Sequence, residues 1–173
     1  FSFELAAMKP DMVTVSNCIG RIGRPMSLLL ISPNEDIWKP AEHNGTFRGN
    51  QLAFVAGTAA IEYMVEHKLD QEAARKGAMV DAFIREEILP LDKRLTHRGI
   101  GLIWGIDCQA LGGDSFSEAV VEACFRKHLI VERAGRNSCV IKLMPTLVIE
   151  DEDLMEGLRI LKEAFGEVLE SQK

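Results

Sequence analysis

Hydrophobic positions change their period several times along this chain. Met12–Val15 is a short β-favouring run, and residues 27–31, SLLLI, form a continuous apolar run of strand length. Such a run suits a strand covered on both faces, as in a parallel sheet. Between them, residues 16–25 carry Gly20, Gly23 and Pro25, which predicts a turn with unusual backbone angles. Residues 32–47 read as irregular, with Pro33, Pro40 and Gly45. From Gln51 to His67 apolar and small residues occupy nearly every side of a helix, so a buried helix is expected. Asp70 is placed to cap a second helix, in which Val80, Phe83, Ile84 and Ile88 recur at helical spacing until Pro90 ends it.

Beyond Pro90 the pattern alternates. Ile100, Leu102, Trp104 and Ile106 interleave with Gly101, Ile103 and Gly105, the pattern of a strand passing a close neighbour. Gly112-Gly113 predicts a turn, and Ser115-Phe116-Ser117-Glu118 has the form of a capping box opening a helix to about Lys127. Residues 129–132 and 139–144 read as two more strands around Gly135. A last helix opens on Glu150-Asp151-Glu152-Asp153, acids that favour a helix N-terminus, and carries Leu154, Leu158, Leu161, Phe165 and Val168 as a core stripe.

The chain has 173 residues, a formal charge of −6 and 47% hydrophobic residues. That balance argues against disorder and suits one domain, or one and part of another. Acids are dispersed and Lys/Arg form no cluster, so neither nucleic acid nor an anionic membrane is an expected partner. No apolar run reaches membrane-spanning length, and no signal peptide is recognised. The first residue is Phe1 and the first methionine Met8, so part of the working molecule is expected upstream. Cys18, Cys108, Cys124 and Cys139 form no CxxC pair, and the four histidines form no HxxxH. The cysteines read as reduced small hydrophobes of a cytoplasmic protein, Cys18 being the best placed for a reactive thiol, and no metal site is expected. His43 and His97 read as structural or surface residues, and Trp38 and Trp104 as packing residues.

Several segments, taken together and in order, resemble the class III, pyridoxal-phosphate-dependent aminotransferases. They are the Gly-rich turn before Pro25-Met26 and its strand, His43-Asn44-Gly45-Thr46-Phe47-Arg48-Gly49-Asn50 before an Ala-rich helix, and His97-Arg98-Gly99-Ile100-Gly101-Leu102. Ile141-Lys142-Leu143-Met144-Pro145-Thr146-Leu147 and Leu154-Met155-Glu156-Gly157-Leu158 complete the set. The run HNGTFRGN is worded like the diaminobutyrate–2-oxoglutarate aminotransferases of ectoine synthesis. The resemblance implies an α/β fold: residues 71–173 as the small C-terminal domain of the aspartate aminotransferase-like fold, and residues 1–70 as a stub of the large cofactor-binding domain with a linking helix. It spans this chain but only about the C-terminal 40% of such an enzyme, judged from the family's usual length.

The resemblance also assigns roles. The family's Schiff-base lysine follows a Ser after the first strand, and here Ser16 is followed by Asn17, whose amide is not nucleophilic. Asn17 therefore reads as a relic of that site, or as an ordinary turn asparagine. Arg21 stands where a glycine is usual. Thr46 matches a threonine that reaches the cofactor phosphate across the subunit boundary; by itself it also suits a helix entry. Arg48 is a candidate anion ligand or an ion-paired side chain. Lys142 takes the place of a cation near the substrate carboxylate, or faces solvent on an edge strand. Thr146 replaces the second proline of the usual pair. The cofactor's phosphate loop and pyridine-nitrogen acid lie upstream in the family. The expectation is a pyridoxal-phosphate family member that is not catalytic alone, held as a homodimer. The alternative is a component that complements a separate N-terminal half.

Overall fold

The computed structural model describes residues 2–16, 26–46 and 48–172. Asn17, Cys18 and Arg21 lie outside the described residues. The chain divides into two compact units, residues 1–67 and 68–173.

In the first unit, β1 (Met12–Val15) and β2 (Leu28–Ile31) form a two-stranded sheet, with Met12 opposite Ile31 and Val15 opposite Leu28. The pairing is antiparallel, not the parallel arrangement the apolar run suggests, and Leu29 and Leu30 remain 44% exposed. α1 (Gln51–Glu66) starts where the Asn50 side chain accepts the Ala53 N–H at 3.1 Å, satisfying one free amide of the first turn. The helix is not buried all round: only Ala53 and Gly57 are buried, while Leu52, Val55 and Val65 are more than 60% exposed. Hydrophobic composition states that a surface needs cover, but not that the same chain provides it.

The second unit opens with α2 (Leu69–Phe83). Its N-cap is Lys68, held left-handed at φ 49°, so Asp70 lies inside the first turn rather than capping it. The helix widens into a π-turn over Ile84–Ile88 and tightens into a 3₁₀ turn over Leu89–Leu91, where Pro90 needs no amide donor. The run expected as one strand is a hairpin: β3 (Thr96–Ile100) turns through Gly101-Leu102 into β4 (Ile103–Asp107), with Ile100 opposite Ile103. A two-residue loop whose first residue has φ +53° is a position for glycine. α3 (Asp114–Arg126) follows Gly112 and Gly113, both at positive φ. The capping box does not form: the helix opens at Gly113, and Ser115 Oγ donates to the Gly112 carbonyl at 3.2 Å, while Ser117 Oγ donates to the Asp114 and Ser138 carbonyls. β5 (Glu132–Ala134) begins later than its apolar neighbours suggest, and β6 (Val140–Leu143) and α4 (Asp151–Ser171) complete the unit.

The sheet order is β3-β4-β6-β5, all antiparallel. Ile106 and Ile141 pair across β4 and β6 and point into one core with Val80, Ile84, Phe116, Val120, Leu161 and Phe165. α2, α3 and α4 therefore lie on one face of the sheet. The five stripe residues of α4 are all buried. Each large side chain so buried contributes roughly 1.5–3 kcal/mol. By strand alternation, Arg98, Gly105, Val140 and Lys142 belong to the opposite, helix-free face.

Candidate functional site

Thr46 belongs to the first unit and lies in an exposed turn just before Asn50. Arg48 folds back over that turn: its N–H donates to the Gly45 carbonyl at 3.1 Å, and a Cβ on Gly45 would stand 3.0 Å from Arg48 Nε. Among the described residues the Thr46 hydroxyl has no protein partner. Trp38 stacks on His43 with ring centres 4.6 Å apart.

Lys142 belongs to the second unit. β6 is an interior strand, not an edge, and Lys142 is paired with Glu132, directly opposite it on β5. The ladder sets Arg98, Gly105, Lys142 and Glu132 in one row across the four strands of the open face. A shallow groove there is lined by Arg98, Ile100, Ile103, Gly105, Val140 and Lys142. On the other side of the sheet a cavity of about 160 Å³ is lined chiefly by Val80, Trp104, Leu129, Leu143, Ile149 and Leu158, with Lys142 at its rim.

The surrounding polar groups are structural. His97 is nearly buried; its Nε2 lies 2.6 Å from Asp81 Oδ1, and its ring stacks on Trp104, whose Nε1–H donates to the Gly101 carbonyl at 2.7 Å. The His97 hydrogen bond, and after it Arg85, hold the Asp81 carboxyl below its usual range. Lys76, 7% exposed, donates to the Ile149 carbonyl and so ties α2 to the segment leading into α4. Sequence reading missed Lys76; it sits within the buried stripe of α2 between Ala73 and Val80. Cys108, Cys124 and Cys139 are free and buried, and burial pushes the Cys108 thiol up to about 12 and Cys124 to about 11. These two are unreactive packing groups. Among the described residues no group of three or more His, Cys, Asp or Glu is placed to hold a metal, and no helix is long and apolar enough to cross a membrane.

The fold is that of a portion of a pyridoxal-phosphate-dependent aminotransferase. An acetylornithine aminotransferase from Elizabethkingia anophelis matches 96% of this chain at TM-score 0.83 and 26% identity, over 41% of its own length. An ornithine aminotransferase from Toxoplasma gondii, whose structure has partial occupancy of PLP at its active site, matches 94% at TM-score 0.84 and 24% identity, over 38% of its length. The aminotransferase class-III family model matches residues 1–165, and the chain belongs to that family. A diaminobutyrate–2-oxoglutarate transaminase from Wolinella succinogenes is 41% identical over the whole chain, and one from Streptomyces avermitilis is 42% identical over 96% of it. The chain spans about 40% of the length of these curated relatives.

The family implies pyridoxal phosphate, and the described residues offer little to hold it. Thr46 is exposed. The Lys142 ammonium is engaged by Glu132. The two buried polar side chains, Lys76 and Ser117, are committed to backbone carbonyls. These residues do not by themselves make a site for the cofactor.

Proposed function

We propose that this chain is the C-terminal part of a protein of the diaminobutyrate–2-oxoglutarate aminotransferase type, and that it does not catalyse transamination alone. The observation that carries this reading is Asn17. It follows Ser16 where the family places the Schiff-base lysine, and a carboxamide nitrogen cannot form that bond. That Lys142 is engaged by Glu132, and Lys76 and Ser117 by backbone carbonyls, supports it. On this reading residues 71–173 are the small domain, residues 1–70 the attached stub of the large domain, and the assembly is a cytoplasmic homodimer. Thr46 meets a cofactor phosphate, and Lys142 a substrate carboxylate, only when the rest of such a protein is present.

A second reading, complementation by a separate N-terminal half, is favoured by the exposed apolar residues of α1 and β2. Complementation would supply contacts and an acid, but not the missing amine. The test is borohydride reduction of the chain with pyridoxal phosphate, followed by peptide mass mapping. No stoichiometric adduct is expected at any one lysine. A full-occupancy adduct at one defined lysine would overturn the reading.

A further inference from the structure

We propose that Asn44 is a self-modifying residue: the Asn44-Gly45 pair closes on itself to a succinimide and opens to an aspartyl or isoaspartyl residue, under the cation of Arg48. The inference goes beyond the function proposed above and does not rest on it.

The sequence holds five asparagines, and only Asn44 is followed by glycine. Asn34, Asn50 and Asn137 precede Glu35, Gln51 and Ser138, whose side chains crowd a nitrogen that must approach the preceding carboxamide. Gly45 has no side chain and leaves its backbone free to turn. Both residues of the pair are exposed. Among the described residues the Gly45 amide donates no hydrogen bond, so nothing withholds its nitrogen. The Asn44 Nδ2–H donates to the Ala41 carbonyl at 3.3 Å, long for such a bond. That contact keeps the carboxamide at the turn without locking it. Asn50 is bound differently: its side chain accepts the Ala53 N–H at 3.1 Å at the entry of α1, where the helix fixes the backbone.

Arg48 is the second observation. Its side chain lies over Gly45, where a Cβ would stand 3.0 Å from Arg48 Nε and 3.2 Å from Cγ. The guanidinium is always charged. The nearest acid in sequence, Glu42, accepts the Lys39 amide at 2.8 Å, and among the described residues no carboxylate pairs with Arg48. A free cation this close favours the negative charge that gathers on the Gly45 nitrogen and then on the Asn44 carboxamide oxygen. The steps balance without oxidant or cofactor. The Gly45 nitrogen bonds to Asn44 Cγ, the Cγ–Nδ2 bond breaks, and ammonia leaves, the Gly45 proton reaching the departing nitrogen through water. Water then adds to either carbonyl of the ring and opens it. Opening at the main-chain carbonyl leaves the chain running through the side chain of residue 44. In either product one amide has become one carboxylate. That charge lies two residues before Thr46, where it opposes a phosphate.

The test is incubation of the full chain at a mildly alkaline pH, followed by peptide mass mapping and labelling with an isoaspartyl methyltransferase. Conversion of amide to acid is expected at position 44 ahead of Asn34, Asn50 and Asn137, with isoaspartyl product present. Gly45→Ala should slow it severalfold. Arg48→Gln should slow it about 5-fold, the rate equivalent of one exposed charge contact, and Arg48→Lys should restore most of the rate. In urea, where the turn is lost, Arg48→Gln and the parent should convert alike. Conversion at position 44 no faster than at Asn34, or as fast in Gly45→Ala as in the parent, would overturn the proposal. Equal rates for folded Arg48→Gln and the parent, or unequal rates in urea, would overturn the part given to Arg48. The borohydride experiment reads lysines and leaves these outcomes unchanged, so the two proposals fail separately.

Discussion

Two glycines in helices of the second unit should respond to alanine with opposite signs. In α2, a Cβ on Gly77 would stand 2.3 Å from the Gly101 carbonyl oxygen, 2.9 Å from its carbon and 3.0 Å from its Cα, against an ordinary contact of 3.4–4 Å. These are backbone atoms of a two-residue hairpin turn, at a residue with φ +53°, so no side-chain rotation relieves the overlap. The clash belongs near the ~3 kcal/mol upper end of overpacking costs, and the helix-propensity gain of alanine over glycine returns ~1, leaving a net loss of ~2 kcal/mol for Gly77→Ala. In α4, a Cβ on Gly166 meets nothing within 4 Å. Gly166→Ala should therefore keep most of the propensity gain, up to ~1 kcal/mol. Urea unfolding followed by Trp104 fluorescence, with Trp38→Phe as the common background, reads both changes in the unit that contains them. Gly77→Ala unfolding at the same urea concentration as Gly166→Ala would refute the close approach of α2 to the hairpin.

Acid should weaken the second unit in a defined direction. The Arg94 side chain and then its backbone N–H lower Asp92 from 3.8 to about 2, and Arg75 lowers Asp151. Such groups bind protons less readily folded than unfolded, so their contribution is complete above the unfolded value and is lost as pH falls through the folded one. Unfolding midpoints should be flat near neutrality and drop between pH 3.8 and about 2; a midpoint unchanged across that window would contradict these pairings. Cys108 and Cys124 should react with a disulfide reagent at mildly alkaline pH only after denaturation, given thiols pushed to about 12 and about 11; fast labelling of either in the native protein would contradict the core described. Sedimentation should show self-association that Val55→Glu weakens, because Val55 is 69% exposed on an apolar helix; a sharp monomer at micromolar concentration would count against the dimer.

What the sequence disclosed depended on how local the determinant was. The α4 stripe from Leu154 to Val168 is one period repeated, and its buried face follows from spacing alone. The hairpin of residues 96–107 was hidden because alternation continues across Gly101-Leu102, so two strands read as one. Ser115 headed a capping-box pattern, yet the helix opens at Gly113 and the Ser115 hydroxyl turns back to the Gly112 carbonyl, while Ser117 donates to the Ser138 carbonyl, 21 residues away in sequence and invisible to a local rule. Asp70 lost the cap to Lys68 because a left-handed residue already breaks the chain there. At the candidate site, Asn17, Thr46 and Lys142 were legible only through family resemblance. Arg98 was legible as part of a motif, but its place beside Gly105 and Lys142 is a property of strand register. Lys76 sits among apolar neighbours where a charge is unexpected, and that was the available signal.

On the proposed reading, Asn17 withholds the amine on which the family's chemistry depends. The most direct measurement joins the N-terminal part of a diaminobutyrate–2-oxoglutarate transaminase to this chain and assays amine transfer to 2-oxoglutarate, with Asn17 and with Asn17→Lys. Turnover is expected only in the Asn17→Lys chimera. Turnover in the chimera that keeps Asn17 would contradict it.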